Sequence, residues 1–326
     1  MIELIPPGTN FDFIGKWKAC VIGSILLIAI GFASIPIRGL HWGIDFAGGT
    51  EMALRFAPEA GADEAKIRAV VEGAGVGEPS VIRYGEEGSG TFLVRFSGGG
   101  ELSGEGQNQF VDRIKAQLGE RVGPVSIERV EFVGPKVGAE LRTAGLKAFC
   151  IAFGLILVYV AVRFTWSFAP GTVIALVHDV LATAAIWILL GQQFDLEVLA
   201  ALLAIAGYSL NDTIIIYDRI REMMHVHTTQ DLPDVINRSV NQTLSRTLLT
   251  SGLTMVTVLS LLFLGGEVIF PFSAAMAIGI VIGSYSSIYI AAPIMLLLER
   301  RREARDKAQT KKGKGGGGRA RAKATA

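Results

Sequence analysis

Six long apolar runs constrain this chain before any other feature does. They lie at about 17–37, 143–162, 170–190, 196–217, 247–265 and 271–298. An α-helix needs about 20 apolar residues to cross the hydrocarbon core of a bilayer, and each run is close to that length. A helix satisfies all its backbone hydrogen bonds internally, which lipid demands. Composition agrees, with 50% hydrophobic residues in a chain of 326 and a mean hydropathy of +0.44. The expected fold is a polytopic α-helical membrane protein with six transmembrane helices.

The net charge of +1 says little, but its distribution orients the chain. Arg163 follows the second run, and Arg219, Arg221, Arg238 and Arg246 lie between the fourth and fifth. Arg and Lys are dense from Arg300 to Lys323, whereas connections 191–195 and 266–270 carry neither. Positive charge stays on the cytoplasmic side. Both termini are therefore expected inside, with segments 1–16 and 299–326 cytoplasmic and 38–142 outside. Lys16 and Lys18 before the first run resemble a secretory signal. The run outlasts a signal's apolar region, so an uncleaved anchor is expected. The tail from 299, basic and glycine-rich at Gly315–Gly318, is expected to be disordered. Cys20 and Cys150 fall inside predicted spans and read as small packing residues.

Segment 38–142 has a different pattern. Thr50–Phe56, Ser80–Tyr84, Thr91–Phe96 and Val125–Phe132 alternate as strands do. Ala62–Gly73, with Asp63 near its start, and Gln107–Leu118 read as helices. Gly85–Gly90 joins two strands as a hairpin. The order β-α-β-β-α-β predicts a ferredoxin-like α+β domain, periplasmic by the charge rule, between the first and second spans. It has no cluster of His, Cys or nucleophile that suggests catalysis, so binding or mechanical work is the expectation. Gly43–Thr50 is glycine-rich but lacks the Gly-Lys-Ser/Thr ending of a phosphate loop. It reads as the turn from the first span into the sheet, and Val133–Leu141 as the return. No nucleotide, metal or cofactor site is expected, and no nucleic-acid partner.

The most informative polar residue is Asp212, in Gly207-Tyr-Ser-Leu-Asn-Asp-Thr213 within the fourth span. A carboxylate at the membrane centre costs about 2.5–3.5 kcal/mol on insertion scales, and such residues are commonly paired or carry ions. His178 and Asp179 lie inside the third span and Arg246 opens the fifth. The fourth and fifth helices are antiparallel neighbours, so Asp212 and Arg246 are expected to face each other. Arg246, Thr250, Thr254 and Thr257 share one helical face, widened by Thr247 and Ser251. Ser209 lies one turn before Asp212. The alternatives are plain: Arg246 as a boundary marker, His178–Asp179 as a structural pair, Asp212 as interhelical glue, and threonines bonded to their own helix.

These motifs together resemble the SecF branch of the SecD/SecF family of bacterial protein-export subunits, within the RND-like superfamily. The resemblance covers about residues 10–300. It rests on Gly43-Ile-Asp-Phe-Ala-Gly-Gly-Thr50, Val133-Gly-Pro-Lys-Val-Gly138, His178-Asp179, Gly207–Thr213 continuing through Asp218-Arg-Ile-Arg-Glu222, and Asn241-Gln-Thr-Leu-Ser-Arg-Thr247. It implies an inner-membrane subunit without enzymatic chemistry. Such a subunit works with SecD, the SecYEG channel and YajC, and uses the proton motive force to assist polypeptide export. It also implies proton coupling at Asp212 and Arg246. The expected supporting residues are His178, Asp179, Ser209, Asn211, Thr247 and Thr250. A small-molecule efflux half-transporter and a passive scaffold of the export channel are the competing classes. Proton and sodium remain open as the coupling ion.

Overall fold

The computed structural model describes residues 5–6, 9–77, 79–83, 89–97, 105–163, 168–226, 230–266 and 268–305. The basic tail from 306 onward and most of the Gly85–Gly90 hairpin lie outside the described residues. Six described helical stretches are long and apolar enough to cross a membrane.

The first is Ile14–Arg38, which contains α1 (Trp17–Ala33) and the short α2 (Ile35–Arg38). A further short helix, α3 (Ile44–Ala47), leads into β1 (Gly49–Phe56). Then come α4 (Glu64–Gly73), β2 (Ser80–Arg83), β3 (Thr91–Phe96), α5 (Glu105–Arg121) and β4 (Val125–Val133). The remaining helices are α6 (Pro135–Arg163), α7 (Ala169–Leu189), α8 (Leu196–Val226), α9 (Leu232–Leu264) and α10 (Phe270–Ser286). A π-helical segment, Ser287–Ala291, follows α10, and the chain stays helical to residue 305.

The four strands form one sheet in the order β2-β3-β1-β4, every neighbouring pair antiparallel. Period-2 alternation divides its two faces. Met52, Leu54 and Phe56 of β1 join Phe92, Val94 and Phe96 of β3 on one face. Ile67 and Val71 of α4 and Ile114 and Leu118 of α5 close the core over them. Asp63 caps α4 by accepting the Lys66 N–H at 2.8 Å, the expected device for a helix start. The opposite face carries Glu51, which faces Arg95 directly across the strands.

The two glycine motifs meet where the sheet joins the membrane helices. Gly48 has a φ of +74°, and a Cβ there would lie 2.8 Å from the Cα of Pro135. A Cβ on Gly138 would lie 2.8 Å from the Gly48 nitrogen. The turn into the sheet and the return from it are thus backbone against backbone. Only glycine allows both the left-handed turn and that approach.

Among the spans, α7, α8 and α10 form the centre, each with more than half of its apolar stretch buried. The outer helices α1, α6 and α9 turn most of theirs outward. Exposed apolar side chains follow that surface: Ile25 and Ile30 on α1, Ile151 and Leu155 on α6, Leu253 and Phe263 on α9. Small residues let the central helices touch. A Cβ on Gly283 of α10 would come 2.9 Å from the Ser209 Cβ of α8, the close approach typical of membrane helix pairs.

Candidate functional site

The buried polar residues of the spans converge where α7, α8, α9 and α10 meet. Asp179, Ser209, Asp212, Thr213, Thr247, Ser286 and Ser287 are all at most 2% exposed. Spacing explains the convergence. Ser209, Asp212 and Thr213 sit three and four residues apart and share the buried face of α8.

Asp179 is the more heavily bonded carboxylate. It meets His178 Nδ1 at 3.0 Å through Oδ1 and accepts the Ser209 hydroxyl at 2.5 Å through Oδ2. Ser286 also reaches it from α10. His178–Asp179 therefore ties three helices together, and Ser209 brings it to the level of Asp212, one turn further along α8.

Asp212 is less saturated. Its Oδ2 accepts the Ser251 hydroxyl of α9 at 3.2 Å, and Ser251 also pairs with Ser284 of α10 at 2.9 Å. Among the described residues, Asp212 Oδ1, Thr247 Oγ1 and His178 Nε2 have no hydrogen-bond partner within the chain. One level nearer the far end, Thr213 pairs with Ser287 at 2.9 Å and the Tyr217 hydroxyl donates to the Ala291 carbonyl at 2.8 Å. Both of these partners lie in the π-helical segment. A π-turn leaves carbonyls free for outside donors and is frequent at functional sites.

The expected Asp212–Arg246 contact does not form. Arg246 lies on the exposed side of α9, and none of the described ion pairs joins it to a carboxylate. Its charge still reaches Asp212 through space. Rotation about the helix is the reason: one residue turns a side chain by about 100°. Thr247 and Ser251 of α9 are buried against its neighbours, which turns Arg246 away from Asp212.

The face of Arg246, Thr250, Thr254 and Thr257 is likewise not the inward one. Thr250, Thr254 and Thr257 donate to the carbonyls of Arg246, Thr250 and Leu253 on their own helix. Asn211 is exposed on α8, away from Asp212. The inward stripe of α9 is Thr243, Thr247 and Ser251.

Two contributions escaped the sequence reading, the second from Asn241, which it names only within a motif. Ser284 and Ser286 of α10 and Ser287 of the π-helical segment supply that side of the site, and their only signal is a serine cluster inside an apolar run. Asn241 clasps the N-terminal segment at the end away from the sheet. It accepts the Phe11 N–H and donates to the Phe11 carbonyl, both at 2.9 Å. Asn237 accepts the Phe13 N–H at 2.9 Å.

The match to known proteins follows this geometry. The family described as "Protein export membrane protein SecD/SecF, C-terminal" matches residues 114–301, over half the chain. The chain belongs to the SecD/SecF family. Its "SecD/SecF GG Motif" covers residues 33–60, which include the Gly48–Gly49 turn.

The protein translocase subunit SecF of Calditerrivibrio nitroreducens is 42% identical over 93% of this chain and 98% of its own length. That of Vibrio alginolyticus is 38% identical over 96% of this chain and 97% of its own. The crystal structure of SecDF from Thermus thermophilus, a translocon-associated membrane protein, superposes with a TM-score of 0.78 at 34% identity. It covers 90% of this chain, which spans 39% of the SecDF chain. In SecDF, a family domain of this kind is one part of a longer polypeptide.

Proposed function

We propose that this chain is the SecF-type subunit of a protein-export complex, paired with a SecD-type subunit in the bacterial inner membrane. Near-full-length likeness to SecF translocase subunits and the SecDF fold support that reading. The SecYEG channel and YajC are the further partners in this reading. It is an accessory subunit without enzymatic chemistry, and the proton motive force drives it.

The βαββαβ order and the 2-3-1-4 strand order fit a ferredoxin-like domain. Loop charge supports that domain lying outside and both termini in the cytoplasm. The domain bounds then read as 1–16, 17–37, 38–142, 143–298 and 299–326.

One observation carries the coupling proposal. Asp212 is a fully buried carboxylate in a membrane helix, held on one oxygen by a hydroxyl and, among the described residues, without a partner on the other. Such a group can take up and release a proton without breaking an ion pair. Protonation removes its charge and the attraction that Arg246 exerts through space. That changes how α8 and α9 attract each other, the kind of local charge change that biases a two-state element. Ser251 bonds Asp212 directly, and Asp179, Ser209 and Thr247 are buried polar neighbours of the same helix junction. Thr250 and Asn211 sit outside it.

Proteoliposomes containing this chain, SecD and the SecYEG channel test the proposal. Asp212→Asn is expected to insert and assemble normally but to lose stimulation of export by a proton gradient. Full stimulation in that variant would overturn the coupling role. Stimulation by a sodium gradient at constant pH would make sodium the coupling ion.

A further inference from the structure

The sheet face opposite the α4–α5 core is not left to solvent. Glu51 and Ala53 of β1 and Leu93 of β3 are buried there. Arg95 of β3 pairs with Glu51 and reaches beyond the sheet, its Nη1 donating to Gln193 Oε1 at 2.5 Å. Gln193 belongs to the α7–α8 connection, which is membrane-side structure. Arg129 of β4 holds the other Glu51 oxygen at 2.7 Å.

The same connection is stitched to the segment before β1. Gly43 N–H donates to Phe194 O at 2.7 Å, Phe194 N–H to His41 O at 2.8 Å, and Leu196 N–H to Asp45 Oδ2 at 3.2 Å. Asp195 caps α8 by accepting the Val198 N–H at 2.9 Å. It lines a cleft of about 80 Å³ between the sheet and the membrane helices, with Glu51, Arg95, Arg129, Glu131 and Glu197 around it.

We propose that Gln193 and Asp195 are positioning residues that latch the sheet domain onto the α7–α8 hairpin, and that protons from the outer side close the latch. This rests on the export reading, in which the bundle must move the outer domain. α7 and α8 carry Asp179 and Asp212, so the hairpin between them links that polar site to the sheet.

Asp195 has a carboxylate that burial pushes up to about 7, helped by the like charges of Glu197 and Asp45 and opposed by Val198 N–H and Arg95. Glu51, Arg129 and Glu131 are the other charged groups lining the cleft. Released from the cleft, Asp195 returns toward its ordinary value of 3.8. The docked state therefore holds the proton more tightly. Docking is favoured most at low pH, weakens as pH rises toward about 7, and changes little above that. The equilibrium shifts by at most about tenfold per pH unit, as for one proton.

The test uses the full chain in nanodiscs, with Cys20 and Cys150 replaced by alanine and spin labels at Lys115→Cys and Leu190→Cys. Both label sites are exposed. A single short distance is expected at pH 5, with a longer population growing to pH 7.5 and then constant. Asp195→Asn is expected to keep the short distance at every pH. Gln193→Ala, whose backbone carbonyl still accepts from Trp187 Nε1, is expected to enrich the longer population at every pH. A distance independent of pH in the unmodified latch, or an unchanged pH response in Asp195→Asn, would overturn the proposal. So would a Gln193→Ala distribution matching the unmodified chain. Proton-stimulated export that survives those outcomes leaves the export reading standing. Its loss in Asp212→Asn alone tests that reading separately.

Discussion

Ser251 of α9, rather than Arg246, holds Asp212: its hydroxyl donates to Oδ2 at 3.2 Å while also pairing with Ser284. The carboxylate is thus anchored by a neutral group, and the nearest cation of α9 is displaced around the helix. A neutral anchor would let a carboxylate gain or lose a proton at little structural cost, whereas a direct ion pair would have to break.

Removing that anchor should weaken coupling without abolishing it. A hydrogen bond to a charged group contributes about 1.5–3 kcal/mol. Ser251→Ala is therefore expected to reduce proton-stimulated export by roughly tenfold or more, and Ser251→Thr to restore most of it. Initial rates of export into proteoliposomes at fixed pH gradient would show this.

Arg246 points out of this chain, so its partner should lie on another subunit. Arg246→Cys is expected to cross-link to a SecD-type subunit, whereas Asp212→Cys, at 1% exposure, is not. Arg246→Ala should leave thermal unfolding of the isolated chain within about 0.5 kcal/mol of the original, as for surface substitutions, while coupling is lost. A large fall in stability would place Arg246 in this chain's own packing instead.

Gly283 should be intolerant of bulk. A Cβ there already meets Ser209 at 2.9 Å, so Gly283→Val must push α8 and α10 apart. Overpacking of this kind costs about 1–3 kcal/mol. A lower unfolding temperature in detergent, with weaker proton-stimulated export because Ser209 moves off Asp179, is the expected result.

The sheet domain offers a pH test of a helix cap. The Lys66 N–H holds the Asp63 carboxyl below its ordinary value of 3.8. A depressed value means that the cap stabilises the domain above that pH and is lost as pH falls through the folded value. Asp63→Ala should unfold at a lower temperature at pH 7. The gap should narrow as pH falls through the folded value, below which both chains lack the charged cap. A gap unchanged at low pH would show that the cap acts by other means. In the same domain, Leu54→Ala removes a side chain that is 0% exposed and should cost about 2–5 kcal/mol.

The strands and helices of segment 38–142 were legible because their periods differ, 2 for β1 and β3 and 3.6 for α4, and each marks one buried face. Asp212, His178 and Asp179 were legible because charge inside an apolar run is expensive. The rotation of α9 was not. Arg246 and Thr247 are adjacent, and both are polar within a stretch long enough to span. Nothing local says which of them faces α8. That depends on how α9 packs against α8 and α10.

The serines of α10 were hidden for a related reason. A hydroxyl in a membrane helix can always bond its own backbone, as Thr254 does, so its identity does not reveal whether it has an external partner. Sequence alone determined the membrane class, the order of elements and the presence of a buried carboxylate, because burial cost and periodicity are local properties. Tertiary structure decided what touches that carboxylate, and that the sheet rests on the α7–α8 hairpin. Both depend on side-chain directions set by helix rotation and by contacts between residues far apart in the chain.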